Sequence, residues 1–473
     1  MPEAADFLAA SVTEAPGLTV RRRVIRASAA GIGLAAALTA LIAWQVWPGF
    51  MSYDSIFALS QARTGIVSAE YPPALSYVWF LADHLYPGPG LMLIWQVFGI
   101  LAAMAVLGAR ARLPVGFVLL GVALVAVSPA ALGPMTVIWK DDWMSLFIAL
   151  ALCAMTARRR GASLLWPVCL CLATSFRLNS LPAIVPLVWL GATCGTPPAR
   201  LEFARQSGRF ALIVFTIVTV AGASLVWRLP DFRRLPDPFH PELTQVHDLL
   251  GISVCEGIDL LPPAFTPNGT TVEQLREIYH PQHAQWSFNI PPRTGPHRLD
   301  PEAFKQMNLD DLAAAWKQAL RDYPACYLWH RAQVASYLLG LNAGPVFYKF
   351  NPLIDDNDLG IADRGAGNSA LAAWLDEATP WRALNVASDL LSRVWLFIAA
   401  AAIALCSGAI LKTGRPFTAA CVFASVVLYS ACNFVLDPAA DLRYQHWPVI
   451  GSIFTIMFAL CPPPRDVARS ARP

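Results

Sequence analysis

Charge is scarce in this chain. Only 14% of its 473 residues are Asp, Glu, Lys or Arg, whereas 56% are hydrophobic. A soluble protein of this length needs more charge to cover its surface, so the composition excludes an ordinary soluble protein and indicates a lipid bilayer around apolar side chains. The net charge is only +3, and no basic block is long enough to indicate nucleic-acid binding.

Eight long stretches contain no charged residue at all. Each is about long enough to cross a hydrocarbon core, which takes roughly 17–25 helical residues. The stretches are 27–47, 85–109, 113–139, 178–199, 210–227, 394–411, 416–436 and 447–464. The first is too long for a signal-peptide core and has no small-x-small cleavage site after Trp47, so it is interpreted as an uncleaved anchor.

Clusters of arginine lie beside alternate ends of these stretches. Arg21, Arg22, Arg23 and Arg26 place the N-terminus in the cytoplasm, and Arg158–Arg160 mark a later cytoplasmic loop. Adding the shorter apolar segments 143–157 and 161–176 gives about ten spans with both termini inside. The predicted helices include 113–132, 210–228 and 388–411.

The predicted fold is therefore an all-α polytopic membrane protein with a periplasmic segment of mostly helical or irregular structure between helices 7 and 8. Its predicted divisions are a cytoplasmic tail 1–26, a transmembrane core 27–229 with a first external loop 48–88, a periplasmic segment 230–384, C-terminal transmembrane helices 385–462 and a cytoplasmic tail 463–473. Within the first loop, 74–86 is predicted to be an amphipathic helix lying on the membrane.

Two of the ten cysteines, Cys255 and Cys326, fall in the external segment. An oxidising periplasm allows one disulfide between them, although two cysteines are also easily left free. His280 and His283 have a spacing compatible with zinc, but the intervening Pro281 argues against both histidines sharing a helix face.

Polar residues near membrane helices collect on one predicted face, the external one. They are Asp54, Glu70, Lys140, Asp141, Asp142, Arg177, Asn179, Asp437, Asp441, Arg443 and His446. Solvated loops and anchored helix ends explain some of them, including Asp437. They explain Arg177 less well, because a lone external arginine between two apolar helices opposes the charge bias.

Several of these residues lie in segments that resemble the GT-C glycosyltransferases, in particular bacterial aminoarabinose transferases and protein mannosyltransferases. The first loop reads PGFMSYDSIFALSQARTG…EYPPALSYVWFLADHLYPGPG, with an acidic residue, Asp54, soon after helix 1. The family's usual His-Pro-Pro motif reads Glu70-Tyr71-Pro72-Pro73 here, without the histidine. WKDDWMSLFIALAL, TSFRLNSLPAIVPL and DPAADLRYQHWPVIG follow in the family's order. The similarity covers mainly 27–192 and, weakly, 385–460.

The resemblance implies transfer of a sugar from a polyprenyl-phosphate donor to an acceptor hydroxyl on a glycan, lipid or protein outside the cytoplasmic membrane of a bacterium. Such transfer needs a carboxylate to take the acceptor's proton and fixed cations to hold the phosphate. Asp54 is the predicted base by its match to the family's first-loop acid. Arg177, Arg443 and Lys140 are the predicted phosphate ligands.

Three further carboxylates have two interpretations each. Asp141 and Asp142 are candidates to bind a divalent cation or sugar hydroxyls, or one of them pairs with Lys140. Glu70 either takes the place of the missing histidine or caps a surface helix. No cofactor is certain, and a divalent cation is the one candidate.

Two other classes of function compete with an enzyme. A transporter or flippase of a lipid-linked saccharide predicts polar groups deep in the helices or helices broken at the midplane. A non-catalytic subunit of envelope assembly predicts that the external carboxylates can be removed without loss of activity.

Overall fold

The computed structural model describes residues 16–67, 72–157, 162–193, 233–234, 242–266, 269–288 and 297–461. Within these ranges the chain is mostly helical. The helices of the first half are α1 (Pro16–Val46), α2 (Tyr53–Thr64), α3 (Ala74–Leu85), α4 (Gly90–Arg110), α5 (Val115–Val127), α6 (Pro129–Thr136), α7 (Lys140–Thr156), α8 (Ala162–Phe176) and α9 (Leu181–Thr193).

The second half contains α10 (Leu243–Glu256), α11 (Val272–Ile278), α12 (Ala303–Gln306), α13 (Leu309–Asp322), α14 (Pro324–Leu338), α15 (Ala370–Leu375), α16 (Arg382–Ser392), α17 (Val394–Ile410), α18 (Pro416–Leu436) and α19 (His446–Leu460). Short 3₁₀ turns occupy Leu178–Ser180, Pro263–Phe265, Ala284–Phe288, Ala366–Asn368 and Leu442–Gln445. The two-residue strands β1 (Ile66–Val67) and β2 (Arg233–Arg234) pair in parallel.

Several helices are long and apolar enough to cross a membrane. In the described part of the chain there are three of them: Val20–Val46 within α1, α4 and α18. The number rises to five if the bent pairs α5–α6 and α16–α17 each count as one span. Leu165–Phe176 and Leu178–Thr193 are apolar but shorter. The molecule is thus a helical protein with the membrane-compatible helices that its composition indicates.

Two predicted helices are broken. The helix predicted at 113–132 bends by 60° between α5 and α6. Pro129 cannot continue the hydrogen bonding of α5, and the Ser128 hydroxyl donates to the Leu391 carbonyl instead of to its own helix (2.9 Å). Ser128 and Pro129 therefore explain a bend that the apolar pattern does not predict.

The helix predicted at 388–411 begins earlier, at Arg382, and bends by 63° at Arg393. The Arg393 guanidinium binds Asp389 (2.9 Å) and the carbonyls of Gly340 and Asn342 (2.8 Å each). This arginine therefore ties the start of α17 to the loop after α14. The helix predicted at 210–228 lies outside the described residues.

Helices α7 and α19 form the centre of the bundle. Helix α7 packs against α4 and α8, α19 packs against α17 and α18, and the two helices contact each other. Nearly every residue of α19 is buried. Helix α7 starts at Lys140 rather than at the predicted 143, so its first turn carries Asp141 and Asp142 into the protein interior.

The described part of residues 230–384, here called the external segment because the sequence predicts it outside the membrane, has a hydrophobic core of its own, in which α10 packs against α13 and α14. A fully buried carboxylate, Asp248, connects these helices. It accepts a hydrogen bond from the Trp316 indole (2.8 Å), forms an ion pair with Arg331 (2.8 Å) and lies 3.3 Å from the His330 ring. A disulfide between Cys255 and Cys326, with a Cα–Cα distance of 5.7 Å, joins α10 to α14.

We expect Asp248→Ala to destabilise the external segment strongly, because it leaves the fully buried Arg331 without its carboxylate. Breaking a buried pair in this way costs about 3–5 kcal/mol. Limited proteolysis during a thermal ramp measures the effect as earlier cleavage between residues 242 and 338. Asp311→Ala, on the exposed face of α13, is the control and should shift cleavage little. Equal effects of the two variants would contradict this role of Asp248.

Candidate functional site

A short extended segment sets the position of the site. Residues 50–51 run between two other extended segments, so that the Ile138 amide donates to Phe50 (3.2 Å) and the Asp355 amide donates to Met51 (2.9 Å). The segment around 138 leads into α7, residues 50–51 lead into α2, and residue 355 belongs to the external segment. The backbone therefore brings the first turns of α2 and α7 next to each other.

Side chains fix this junction. Ser52 is the N-cap residue of α2, and its backbone amide donates a hydrogen bond to the Ser55 hydroxyl (3.2 Å). The Ser55 hydroxyl also donates to the Ile138 carbonyl (2.9 Å), and the Trp139 indole donates to the Ser52 hydroxyl (2.7 Å). Asp54 in the first turn of α2 is held in place by these bonds.

Arg443 joins Asp54 from the far end of the chain. Its guanidinium forms an ion pair with Asp54 and a second one with Asp441 (3.1 Å). It also lies over the rings of Trp139 (4.9 Å to the centroid) and Tyr444 (5.0 Å). The Arg443 side chain is only 11% exposed and that of Asp54 is 23% exposed, so the pair lies at the edge of the interior and remains accessible.

Arg177 forms a second cluster beside the first. Its guanidinium pairs with Asp141 and lies 3.5 Å from Asp437, and its Nε donates to Asn179 (3.0 Å). It also lies over the Tyr444 ring, 4.5 Å from the centroid. Arg177, which stands alone between two apolar stretches of the sequence, is thus nearly buried among carboxylates.

Tyr444 connects the two arginines, because both guanidinium groups lie over its ring. The neighbouring amides complete the link: Asn179 donates to Asn433 (3.0 Å), and Asn433 donates to the Tyr444 carbonyl (2.7 Å). Lys140 belongs to the same group, since the charges of Asp54, Asp141, Arg177 and Arg443 all act on its ammonium.

Asp142 lies deeper than the rest. It is fully buried, and its Oδ1 is 3.2 Å from Nδ1 of the equally buried His446 at the start of α19. The two groups are close, but their orientation forms no hydrogen bond. The sequence places both residues in external loops, whereas the structure places them inside the bundle, because α7 and α19 begin earlier than the apolar pattern indicates.

Burial changes the acidity of the loop carboxylates. It raises the pKa of Asp437 to about 7, although the neighbouring Arg177 guanidinium opposes the shift. Burial likewise raises the pKa of Asp441, against the opposing charge of Arg443. Asp437 therefore changes charge near neutral pH while lying 3.5 Å from Arg177.

Five of the residues predicted for the site come together: Asp54, Lys140, Asp141, Arg177 and Arg443. Asp142 lies next to them but contacts His446 instead. Glu70 lies outside the described residues. Cys255 and Cys326 are bonded to each other in the external segment, away from this group.

The candidate divalent cation stays a prediction. Asp141 and Asp142 are adjacent in sequence, but Asp141 binds Arg177 and Asp142 lies beside His446. In the ranges that the structure describes, no group of three or more His, Cys, Asp or Glu side chains is arranged to hold a metal ion.

The sequence reasoning missed two members of the site. Asp437 was attributed to loop solvation, but it is only 4% exposed and faces Arg177. Tyr444 was not singled out, although an aromatic residue directly after Arg443 in the run DLRYQHW is a signal for a cation held over a ring.

The chain matches no protein-family model, and neither the curated proteins nor the solved structures contain a significant match. Helices α2, α7 and α19 all begin at this site, so the positive ends of their dipoles lie beside Arg177, Arg443 and Lys140. Guanidinium groups and helix N-termini are the usual ligands of phosphate in proteins. The site also holds a carboxylate, Asp54, at its accessible edge.

We expect Asp54 and Arg443 to be energetically coupled. In a double-mutant cycle of Asp54→Asn and Arg443→Gln, measured by thermal unfolding in detergent, the second substitution should cost less in the presence of the first. The expected coupling is about 1–3 kcal/mol, because the two groups share one partly buried ion pair.

The control cycle uses the exposed pair of Lys305 and Glu302, which lie 3.0 Å apart on one helical turn. Its coupling should stay below about 0.5 kcal/mol. Additive effects of Asp54→Asn and Arg443→Gln would show that the two residues do not meet.

Proposed function

We propose that this protein is an integral membrane glycosyltransferase of GT-C type, which transfers a sugar from a polyprenyl phosphate to an acceptor hydroxyl. One observation carries the proposal: Asp54, Lys140, Arg177 and Arg443 come from four distant parts of the chain and converge at the junction of apolar helices and the external segment. A base beside fixed cations is what transfer from a phosphate leaving group requires.

The proposed topology has about ten spans, both termini in the cytoplasm and the site on the periplasmic side of a bacterial inner membrane. The short central helices support this position. With 17 and 15 residues, α7 and α19 measure only about 25 and 22 Å, less than a hydrocarbon core of about 30 Å. Their outer ends are therefore recessed, and a lipid phosphate can enter from the side.

Donor binding begins with an exchange of partners. Arg443 holds Asp54 before the donor arrives. The donor phosphate takes the guanidinium of Arg443, and Arg177 and Lys140 bind the remaining oxygens. Since Asp54 loses its cation in this exchange, its carboxylate becomes a stronger base at the moment when the sugar is in place.

Transfer then proceeds by single displacement with inversion. Asp54 takes the proton of the acceptor hydroxyl, and the acceptor oxygen forms a bond to the anomeric carbon from the face opposite the phosphate. The bond between that carbon and the phosphate oxygen breaks, and its electron pair leaves with the polyprenyl phosphate. Arg177 and Arg443 stabilise the negative charge that develops there.

Asp54→Asn should lower transfer about 10²–10⁴-fold, because an amide cannot accept the proton. The measurement is sugar transfer by membranes supplied with a panel of undecaprenyl-phosphate sugars. Binding of undecaprenyl phosphate should be retained, since Arg443 is then freed from its carboxylate.

The matched control is Asp83→Asn. Asp83 also pairs with an arginine, Arg63, at 2.8 Å, but on α3 away from this site. Its substitution should leave transfer within about twofold of the unsubstituted protein. Full transfer activity of Asp54→Asn would show that Asp54 is not the base.

The pKa of Asp437 predicts a pH dependence for phosphate binding. Below pH 7 Asp437 is protonated and does not compete for Arg177, whereas above pH 7 it is ionised and does. Asp437→Asn should therefore bind undecaprenyl phosphate as the unsubstituted protein does at pH 6 and about tenfold more tightly at pH 8. Comparing the two proteins at each pH removes the titration of the phosphate itself. A constant affinity ratio from pH 6 to pH 8 would contradict the competition.

A further inference from the structure

Four side chains of the external segment form a row of rings, here called the aromatic shelf: His283, Trp286, Phe347 and Tyr348. His283 stacks on Trp286 with centroids 5.7 Å apart, and Trp286 meets Phe347 edge to face at 5.2 Å. Phe347 is 6.1 Å from Tyr348. The two halves of the shelf come from loops more than 60 residues apart, so the fold assembles the row.

The aromatic shelf adjoins the Asp54–Arg443 pair. The Tyr348 ring lies 6.0 Å from the ring of Trp139, which is the ring beneath Arg443. The charges of Asp54 and Arg443 act on both His283 and Tyr348. The aromatic shelf therefore lies against the edge of the proposed catalytic site.

The shelf is also fixed in place. The His283 backbone forms an antiparallel bridge with Ala439, in the loop that carries Arg443. Tyr348 has a φ of 40°, which costs a residue with a side chain about 1–3 kcal/mol and persists only where neighbours impose it. It is nevertheless 38% exposed. An exposed tyrosine held in a strained conformation beside a reaction site indicates a binding role.

The position of the aromatic shelf indicates which substrate contacts its rings. In the proposed function, the donor lipid and its phosphate occupy the membrane side, where Arg177 and Arg443 lie between helices. The acceptor must attack from the opposite face of the donor sugar. The aromatic shelf belongs wholly to the external segment and borders Asp54, the proposed base, so it lies on the acceptor's side.

The aromatic character of the shelf indicates the chemical class of the acceptor. Flat, partly exposed aromatic rings present a negative face to the weakly positive C–H groups of a pyranose. Two polar atoms beside the rings lack a partner: within the described residues, Nδ1 of His283 and Oε1 of Gln282 are buried without a hydrogen bond.

We propose that the aromatic shelf binds a sugar ring of the acceptor, so that the acceptor is a saccharide rather than a peptide or a simple lipid. This inference rests on the proposed glycosyltransferase function and narrows its substrate. Trp286 and Phe347 supply the stacking faces, and Tyr348 lies between the bound ring and the Asp54–Arg443 pair.

The first test measures binding without catalysis. The full-length protein in lipid nanodiscs is examined by saturation-transfer NMR with methyl glycosides of glucose, galactose and mannose as probes. At least one glycoside should receive saturation at its ring protons, and Trp286→Leu should lower the signal about tenfold, the loss expected for one stacked ring. Trp286→Phe, which keeps a ring, should retain most of the signal.

The matched control is Trp329→Leu. Trp329 lies on α14 of the same segment, is 39% exposed and contacts Tyr279 instead of the aromatic shelf. Its substitution should leave the glycoside signal unchanged. Equal losses in Trp286→Leu and Trp329→Leu, or no glycoside signal from the unsubstituted protein, would overturn the inference.

The second test separates acceptor from donor. Undecaprenyl-phosphate sugar, added to the same sample, should leave the glycoside signal in place, because donor and acceptor rings occupy different sites. Loss of the signal on adding this donor would assign the shelf to the donor sugar and overturn the inference. Consumption of the donor panel is assayed in parallel. An unsubstituted protein that consumes a donor but binds no glycoside keeps the proposed function and contradicts only this inference. An unsubstituted protein that consumes no donor contradicts the proposed function.

Discussion

The ion pair between Asp54 and Arg443 is the contact on which the rest of the site depends. Neither residue has a place in an apolar bundle by itself, since an unpaired charge there is costly. Together they join the start of α2 to the loop before α19, which are separated by most of the chain. Arg177 and Asp141 form a second ion pair beside the first, and the guanidinium groups of Arg177 and Arg443 both lie over the Tyr444 ring. Pairing the charges thus also assembles the site.

The external segment holds the two loops that carry this pair. Asn351 donates to the Met51 carbonyl (3.1 Å), just before Asp54, and the fully buried Arg331 donates to the Asp437 carbonyl (3.0 Å). The amide of Ala440 donates to Gln282 (2.7 Å) on the same side. The external segment is therefore part of the site rather than a separate domain, because its contacts hold the loops that carry Asp54 and Arg443.

Much of the helical framework could be predicted from the sequence. Runs without charge located α4, α18 and most of α1, because a bilayer leaves charged residues no place in such helices. The breaks at Ser128 and Arg393 could not be predicted, because they depend on hydrogen bonds to residues distant in sequence, Leu391 and Gly340.

The residues of the candidate site could likewise be predicted from the sequence only in part. Asp54, Arg177 and Arg443 were picked out by their unusual position between apolar stretches. Their pairing could not be read from the chain, nor could the burial of Asp437, since both depend on the three-dimensional approach of separate loops. The placement of His446 in a loop was wrong for a related reason: α19 begins at this one polar residue, and the core covers it.

The decisive measurement is an experimental structure of the full-length protein in nanodiscs with bound undecaprenyl phosphate. We expect the phosphate between Arg177 and Arg443, with the carboxylate of Asp54 released from Arg443 and turned toward the external segment. A phosphate bound elsewhere, or one that leaves the pair of Asp54 and Arg443 closed, would contradict this expectation.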